Sequence, residues 1–501
     1  MKLDSAVMKK LDFKTSAASL TANALDRLPL LISEKCLAGN EATIVREVTT
    51  DYSAGRAVTS STFSMPRRGF GPRPVTVLAG IDRVAYGALA DSLRPDLPAE
   101  SRTPENWADF RGFGLPGANE QGKYIVTIDI ASMYEYVDHE VLRRELLTQS
   151  LNAPVVGPLI DLLGEAFQRP RGLPQMMGTS DLLGDVYLGR LERSLLQQER
   201  RFRRYVDDFR VLADDWGAAN QIIEEAAEVA RSLGLILSSE KTSIKRSKRF
   251  QEEDSLLQQI VQKYFSEAVD SLTVTFDDLI GPYGEPAVFE DEPDHDEALR
   301  EAYRQVLNDW MENSRSESGI PTRLAGRAIQ GLDEAPERVP NRVLRELVFR
   351  DPLRLSTVIR YIAKRSEPEE NWKSLRKLVT MKRQSPWAKL WLLQATSDQG
   401  VVGEAKDKHA KTVATWVRAQ LEDPHEVVRA QAAWVVAEMG VLRPRDVGRL
   451  YSAATSITRN GLAAALGRSG ASDSDPVSRA ITQSSRLSRA AFGWGSKQAD
   501  G

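Results

Sequence analysis

The spacing of apolar residues changes several times along the chain, and each change marks a different kind of element. Near the N-terminus Ala18, Leu20, Ala22, Leu25, Leu28, Leu31 and Ile32 recur at helical spacing, which predicts one or two lead-in helices within residues 1–55. From Phe63 to Val77 two short extended segments flank a Gly/Pro cluster, the pattern of a β-ribbon. Ile81–Ala90 has the period of an amphipathic helix, and the polar, Pro-rich stretch that follows, to about Gly122, reads as a long loop. The β-branched run Tyr124–Ile128 predicts a buried strand ending at Asp129, and Val137-Asp138-His139 opens a helix over Glu140–Thr148.

Further on, Ser180 is placed to cap a helix carrying Leu182, Leu183, Val186, Leu191 and Leu195. Arg200–Arg204, Tyr205-Val206-Asp207-Asp208 and Phe209–Ala213 read as strand, tight turn and strand. A helix from Gly217 stops at Gly234, and Leu235–Ser238 is expected as a strand before Glu240-Lys241-Thr242 and the basic run Lys245–Arg249.

Beyond residue 297 almost every segment is periodic at helical spacing. Asp351-Pro352, Ser385-Pro386 and Asp423-Pro424 each set a capping residue before a proline at a first helical position, 34 and 38 residues apart. Asp423–Ala433 resembles the second helix of a HEAT repeat, which predicts a helical solenoid. The expected organisation is a helical lead-in (1–55), an α+β domain (56–275), an acidic linker (276–297), an all-α repeat domain (298–492) and a disordered tail (493–501).

Composition narrows the chemistry. Lys plus Arg number 67 against 70 Asp plus Glu, a formal charge of −3, which argues against a generic nucleic-acid coat but leaves room for local basic grooves. One cysteine, Cys36, and four histidines exclude internal disulfides and zinc-finger sites, so a metal would be held by carboxylates. No membrane-spanning or signal-peptide pattern is evident, and a cytoplasmic location is expected.

The residues that invite chemistry are acids at strand ends. Asp207 and Asp208 are adjacent in a turn, where each raises the cost of ionising the other unless a cation sits there. Arg67, Arg68 and Arg73 on the ribbon suit a triphosphate, because guanidinium meets phosphate oxygens in a fork.

In order, Asp129 with Tyr134, Gly172-Leu173-Pro174-Gln175, Tyr205-Val206-Asp207-Asp208, and Gly234-Leu235 through Lys241-Thr242 resemble the palm motifs of reverse transcriptases, over about residues 55–250. The resemblance implies an α+β palm-and-fingers polymerase followed by the HEAT-like solenoid. It implies two-metal transfer of dNTPs with Mg²⁺, or alternatively Mn²⁺, held by Asp129, Asp207, Asp208 and the backbone carbonyl of Ile130. By the same resemblance Tyr134 excludes a 2′-hydroxyl, Gln175 contacts nucleotide or primer, Arg73 with Arg67 or Arg68 holds the triphosphate, and Lys241 protonates pyrophosphate.

Two departures bear on template handling: Met176 and Ser180-Asp181 stand where related enzymes continue with Gly and then Ser-Pro, and Arg67-Arg68 replace a finger lysine. A palm fused to such a solenoid is similar to the abortive-infection and defence-associated reverse transcriptases of bacteria. That implies an antiphage, homo-oligomeric polymerase, template-independent in some members, whose DNA product can be covalently attached to the protein; the sequence leaves the donor open among Tyr451, the tail serines and other C-terminal hydroxyls. Two alternatives stand beside it: an enzyme copying a dedicated partner non-coding RNA, and a non-catalytic palm with a protein-binding solenoid.

Overall fold

A computed structural model describes residues 1–67, 71–115, 123–272, 274–280, 286–291, 295–312, 322–332, 339–365, 367–401, 403 and 407–499. The chain divides into two compact units. One comprises residues 1–65, 73–251 and 417–501, the other residues 66–72 and 252–416.

The first unit is built on a four-stranded sheet in the order β4-β5-β3-β6, with β3 Tyr124–Asp129, β4 Phe202–Tyr205, β5 Asp208–Ala213 and β6 Ser243–Arg246. β3 is central because Ile125, Val126 and Ile128 are fully buried, and it pairs antiparallel with β5 and β6. The helices Gly178–Gln197 and Trp216–Ser232 bury their apolar stripes in the same core. β1 Ser60–Pro66 and β2 Pro72–Leu78 form the expected ribbon, tied by the Thr62 and Thr76 hydroxyls at 2.9 Å.

The helix Gly80–Asp91 carries Asp82, which is fully buried. Its carboxylate accepts from Arg56 Nε (2.6 Å) and Nη2 (3.1 Å), Tyr52 Oη (2.9 Å) and Thr59 N (2.9 Å), joining the lead-in helices to the start of the ribbon.

Several elements differ from the sequence reading. The lead-in holds four helices: Ser5–Met8, Phe13–Ala22, Ile32–Lys35 and Glu41–Ala54. Within the stretch read as a loop lies the helix Pro104–Gly112, capped by the Thr103 side chain and begun by a proline. Ser180 is no N-cap: the helix starts at Gly178 after Met177, and the Ser180 hydroxyl meets Tyr86 Oη at 2.9 Å. Leu235–Ser238 makes only an isolated bridge, Ile130 to Leu237, and the sheet's edge strand is β6, in the basic run.

Val274–Ile280 (β7), which runs into the expected acidic linker, and Pro286–Asp291 (β8), within it, pair antiparallel. β-branched and aromatic residues flank the turn formers there, and this outweighs the acidic composition.

In the second unit alternate helices stack, Asn341–Arg350 on Pro368–Val379 and Leu355–Lys364 on Pro386–Asp398. Trp387 is buried and meets Trp391 edge-on at 6.4 Å. Of the three capped prolines, only Ser385-Pro386 starts an α-helix as expected; Pro352 opens a 3₁₀ turn, and the helix after Pro424 begins at Glu426.

Residues 417–501 belong to the first unit, where Gln431 Oε1 accepts from Ile32 N at 3.2 Å and Arg486 pairs with Glu47 at 3.1 Å. The expected disordered tail is helical through Ala499. Gly467 and Gly495 let the helices Arg459–Arg468 and Arg486–Ala499 approach backbone to backbone, and Trp494 packs on Trp434 at 5.3 Å. No helix among the described residues is long and apolar enough to cross a membrane.

Replacing Asp82 with Ala leaves the Arg56 guanidinium and the Tyr52 hydroxyl short of their buried partner. It is expected to destabilise the first unit by about 3–5 kcal/mol, read as a lowered urea midpoint at unchanged slope.

Candidate active site

The register of two strands sets the site. In the β3–β5 pair Asp129 lies directly opposite Asp208, and in the β4–β5 pair Tyr205 lies opposite Asp208, so Val206-Asp207 forms the tip of the hairpin beside Asp129. Val206 has φ +57, a left-handed conformation that costs a β-branched residue about 1–2 kcal/mol.

The turn is held by residues the motif does not contain. Arg204 Nη1 donates to the Val206 carbonyl (2.9 Å) and to Asp185 Oδ1 (2.7 Å), while its Nε donates to Glu192 (2.8 Å). Ser101 Oγ donates to the same Asp185 oxygen (2.6 Å) and accepts from Val206 N (3.2 Å). Asp185, 3% exposed, thus anchors both sides of the turn. Tyr205 is seated from below by Trp107 at 4.8 Å and Phe110 at 6.2 Å, both from the helix Pro104–Gly112.

Asp129 is buried and accepts from Lys241 Nζ at 2.7 Å. The backbone around it is fixed by Ser238 N to Asp129 O (2.8 Å) and Ala131 N to Ile236 O (2.9 Å). These two bonds close the Ile130–Leu237 bridge without the Ile130 carbonyl, which faces the other edge of the strand. Burial, and then the charge of Asp129, raise the Asp207 carboxyl; Arg73 and Lys241 offset part of that. Asp208 is pushed up to about 7 by burial, then by Asp207 and Asp129.

The other predicted residues are placed as follows. Arg73, half-buried in β2, is close enough to act on Asp207. Arg67 is exposed just after β1, and Arg68 lies outside the described residues. Tyr134 sits in the short helix Met133–Tyr136, entered through Ser132 at φ +49, and donates to Asp181 Oδ1 at 2.5 Å. Gln175 is buried in a loop tied to the Tyr134 segment by Leu173 N to Tyr134 O (2.7 Å) and Gly172 N to Val137 O (2.9 Å). Gly172 has φ +115, and a Cβ there would strike the Phe167 ring, so the turn requires glycine.

Sequence reasoning missed Asp185, Ser101 and Arg204. The one available signal was an acid at position 185 among the apolar residues of the helix, since such a charge is buried only if paired.

Among the described residues no group of three or more His, Cys, Asp or Glu side chains is arranged to hold a metal ion, and Asp129 is paired with Lys241 instead. The donor set nevertheless fits a hard divalent cation: three carboxylates from two strands and a turn, all oxygen donors, two of them with raised proton affinity that a cation would relieve.

Because Asp208 is raised from 3.8 toward about 7 in the fold, its ionisation opposes folding fully above pH 7 and not at all below about pH 4. Asp208→Asn, without divalent cations, is therefore expected to stabilise the protein at pH 8 by on the order of 1 kcal/mol or more, read as a higher melting temperature. The gain should vanish as the pH falls toward 4.

No curated protein matches the chain. Among solved structures it is similar to the telomerase of Candida albicans in complex with a TWJ fragment of telomeric RNA, at 12% identity and TM-score 0.27, over 76% of this chain and 64% of that one. It is also similar to apo telomerase of Candida tropicalis, at 12% identity and TM-score 0.31, over 75% and 73%. The chain thus spans less than two thirds of the length of the Candida albicans protein. The model of the family described as reverse transcriptase (RNA-dependent DNA polymerase) matches residues 67–267, so this part of the chain is a reverse transcriptase domain.

Proposed function

We propose that the chain is a DNA polymerase of the reverse-transcriptase type, joining deoxynucleotides by two-metal nucleotidyl transfer. The observation that carries this reading is the register that sets Asp129 opposite Asp208 with Asp207 in the adjoining turn, inside a reverse transcriptase domain. Asp129, Asp207, Asp208 and the Ile130 carbonyl would hold Mg²⁺ or Mn²⁺. Bound there, the ions supply activation of the attacking hydroxyl and stabilisation of the departing pyrophosphate.

The remaining work falls to the chain's own groups. Arg73, beside Asp207, binds the triphosphate, together with Arg67 or Arg68. The Tyr134 ring meets the sugar, and Gln175 supports the base or primer. Lys241 has a side chain 64% exposed, free enough to move from Asp129 and give a proton to pyrophosphate.

In this reading the enzyme acts in bacterial antiphage defence by abortive infection, as a cytoplasmic homo-oligomer with a HEAT-like helical region. It starts DNA on one of its own hydroxyls. One candidate donor is Tyr451, whose hydroxyl meets Ser484 Oγ (2.6 Å) and Ser488 Oγ (2.8 Å) in the same compact unit as the acids. A hydroxyl that reaches the metal site can replace a primer's 3′-OH.

Asp129→Ala and Asp207→Ala are expected to abolish incorporation of labelled dNTPs with Mg²⁺ while leaving the protein folded, because losing one carboxylate also relieves repulsion. Undiminished synthesis by either variant would overturn the site. Expressed in cells challenged with phage, the parent should protect and Asp207→Ala should not. On a denaturing gel the purified protein should shift, and DNase should reverse the shift. Unshifted protein that releases a discrete RNA on denaturation would establish the partner-RNA alternative.

A further inference from the structure

The segment that departs from the family pattern after Gln175 has a partner in the structure. Asp181, 9% exposed in the first turn of the helix Gly178–Gln197, accepts the Tyr134 hydroxyl on Oδ1 at 2.5 Å. Its other oxygen accepts Arg102 Nη1 at 2.6 Å, and the same nitrogen reaches Asp26 Oδ2 at 2.8 Å. Asp26 is in turn fixed by its backbone N–H, which donates to the Met176 carbonyl at 3.0 Å. Met176 holds φ +69, a left-handed conformation for a residue with a side chain, so this bond clamps a strained loop.

The ring itself has a fitted seat. A Cβ on Gly184 would lie 3.8 and 3.9 Å from the Tyr134 ring carbons Cε1 and Cζ, and 2.9 Å from Met133 Cε. The ring therefore rests over a glycine one helical turn beyond Asp181. Its hydroxyl end is tied to a carboxylate that a guanidinium holds from behind.

We infer that Asp181 is a positioning residue for sugar selection: it fixes the Tyr134 ring so that the ring, rather than a mobile side chain, meets the 2′ position of the incoming nucleotide. The inference rests on the polymerase reading above. A steric gate discriminates only as strongly as it resists moving. An untethered aromatic ring can step aside for a hydroxyl at the cost of a rotamer change, which is worth roughly a factor of ten. A hydrogen bond to a charged acceptor adds roughly one to two further powers of ten. Arg102 and Asp26 act through Asp181, because they orient its carboxylate and neither touches the ring.

The readout is the ratio of kcat/KM for a dNTP to that for the matching rNTP. Asp181→Ala and Tyr134→Phe each break the tie, and each is expected to lower this ratio by roughly ten- to a hundredfold. The double variant should lower it no further than either single one. Asp181→Asn keeps an oxygen that accepts from the Tyr134 hydroxyl and is expected to hold the ratio within a few-fold of the parent, although it loses the ion pair to Arg102. A merely structural Asp181 would lower stability in both Asp181 variants without moving the ratio. Should Asp181→Ala fail to fold, Tyr134→Phe alone still decides, since it removes one oxygen from an otherwise intact ring. A parent that polymerises, with Asp181→Ala and Tyr134→Phe as selective as it is, overturns the inference alone. A parent that incorporates no deoxynucleotide overturns the polymerase reading and this inference with it.

Discussion

The constraint on which the site depends is the crowding of three carboxylates at the end of one sheet. Asp129 and Asp208 face each other across an antiparallel pair, and Asp207 sits in the turn between strands. Such an arrangement opposes folding, as the raised proton affinities of Asp207 and Asp208 register. The surrounding structure outweighs that repulsion. Ile125, Val126 and Ile128 bury β3, Lys241 neutralises Asp129, and the Asp185–Arg204–Ser101 set grips both sides of the strained Val206. A turn held this firmly keeps its acids together rather than letting them relax away from one another.

The same logic extends outward. The helix Pro104–Gly112 places Trp107 and Phe110 under Tyr205, and Ser101 just before it reaches the turn itself. The segment between the ribbon and β3 is therefore part of the site's foundation. Tyr134 is fastened to Asp181, and through Arg102 and Asp26 to the N-terminal region. The acids and the Tyr134 ring both stand on side chains outside the three-carboxylate set.

The sequence was most legible where function and local pattern coincide. The strand ending at Asp129, the hairpin at Asp207-Asp208 and the helix ended by Gly234 are written in short runs of residues, and the structure has them. It was least legible where distant segments meet. Nothing local tells that Asp185 will find Ser101 and Arg204, or that Asp181 will take the Tyr134 hydroxyl, because those pairings exist only once the sheet and the helix Gly178–Gln197 are packed together. The C-terminal helices show the same limit. Capped prolines announce helices, but composition does not reveal that residues 417–501 pack with the lead-in helices through Gln431 and Arg486. Cap chemistry is offset too: the helix after Pro424 starts two residues later, at Glu426, and the helix cap lies three residues before Ser180, whose hydroxyl meets Tyr86 instead.

The most direct test of the central claim is anomalous diffraction from crystals grown with Mn²⁺ and a non-hydrolysable dNTP analogue. The account predicts manganese peaks between Asp129 and Asp207, with Lys241 displaced from Asp129 and the triphosphate against Arg73. Peaks elsewhere in the molecule, with the Lys241–Asp129 pair intact and the acids unligated, would contradict it.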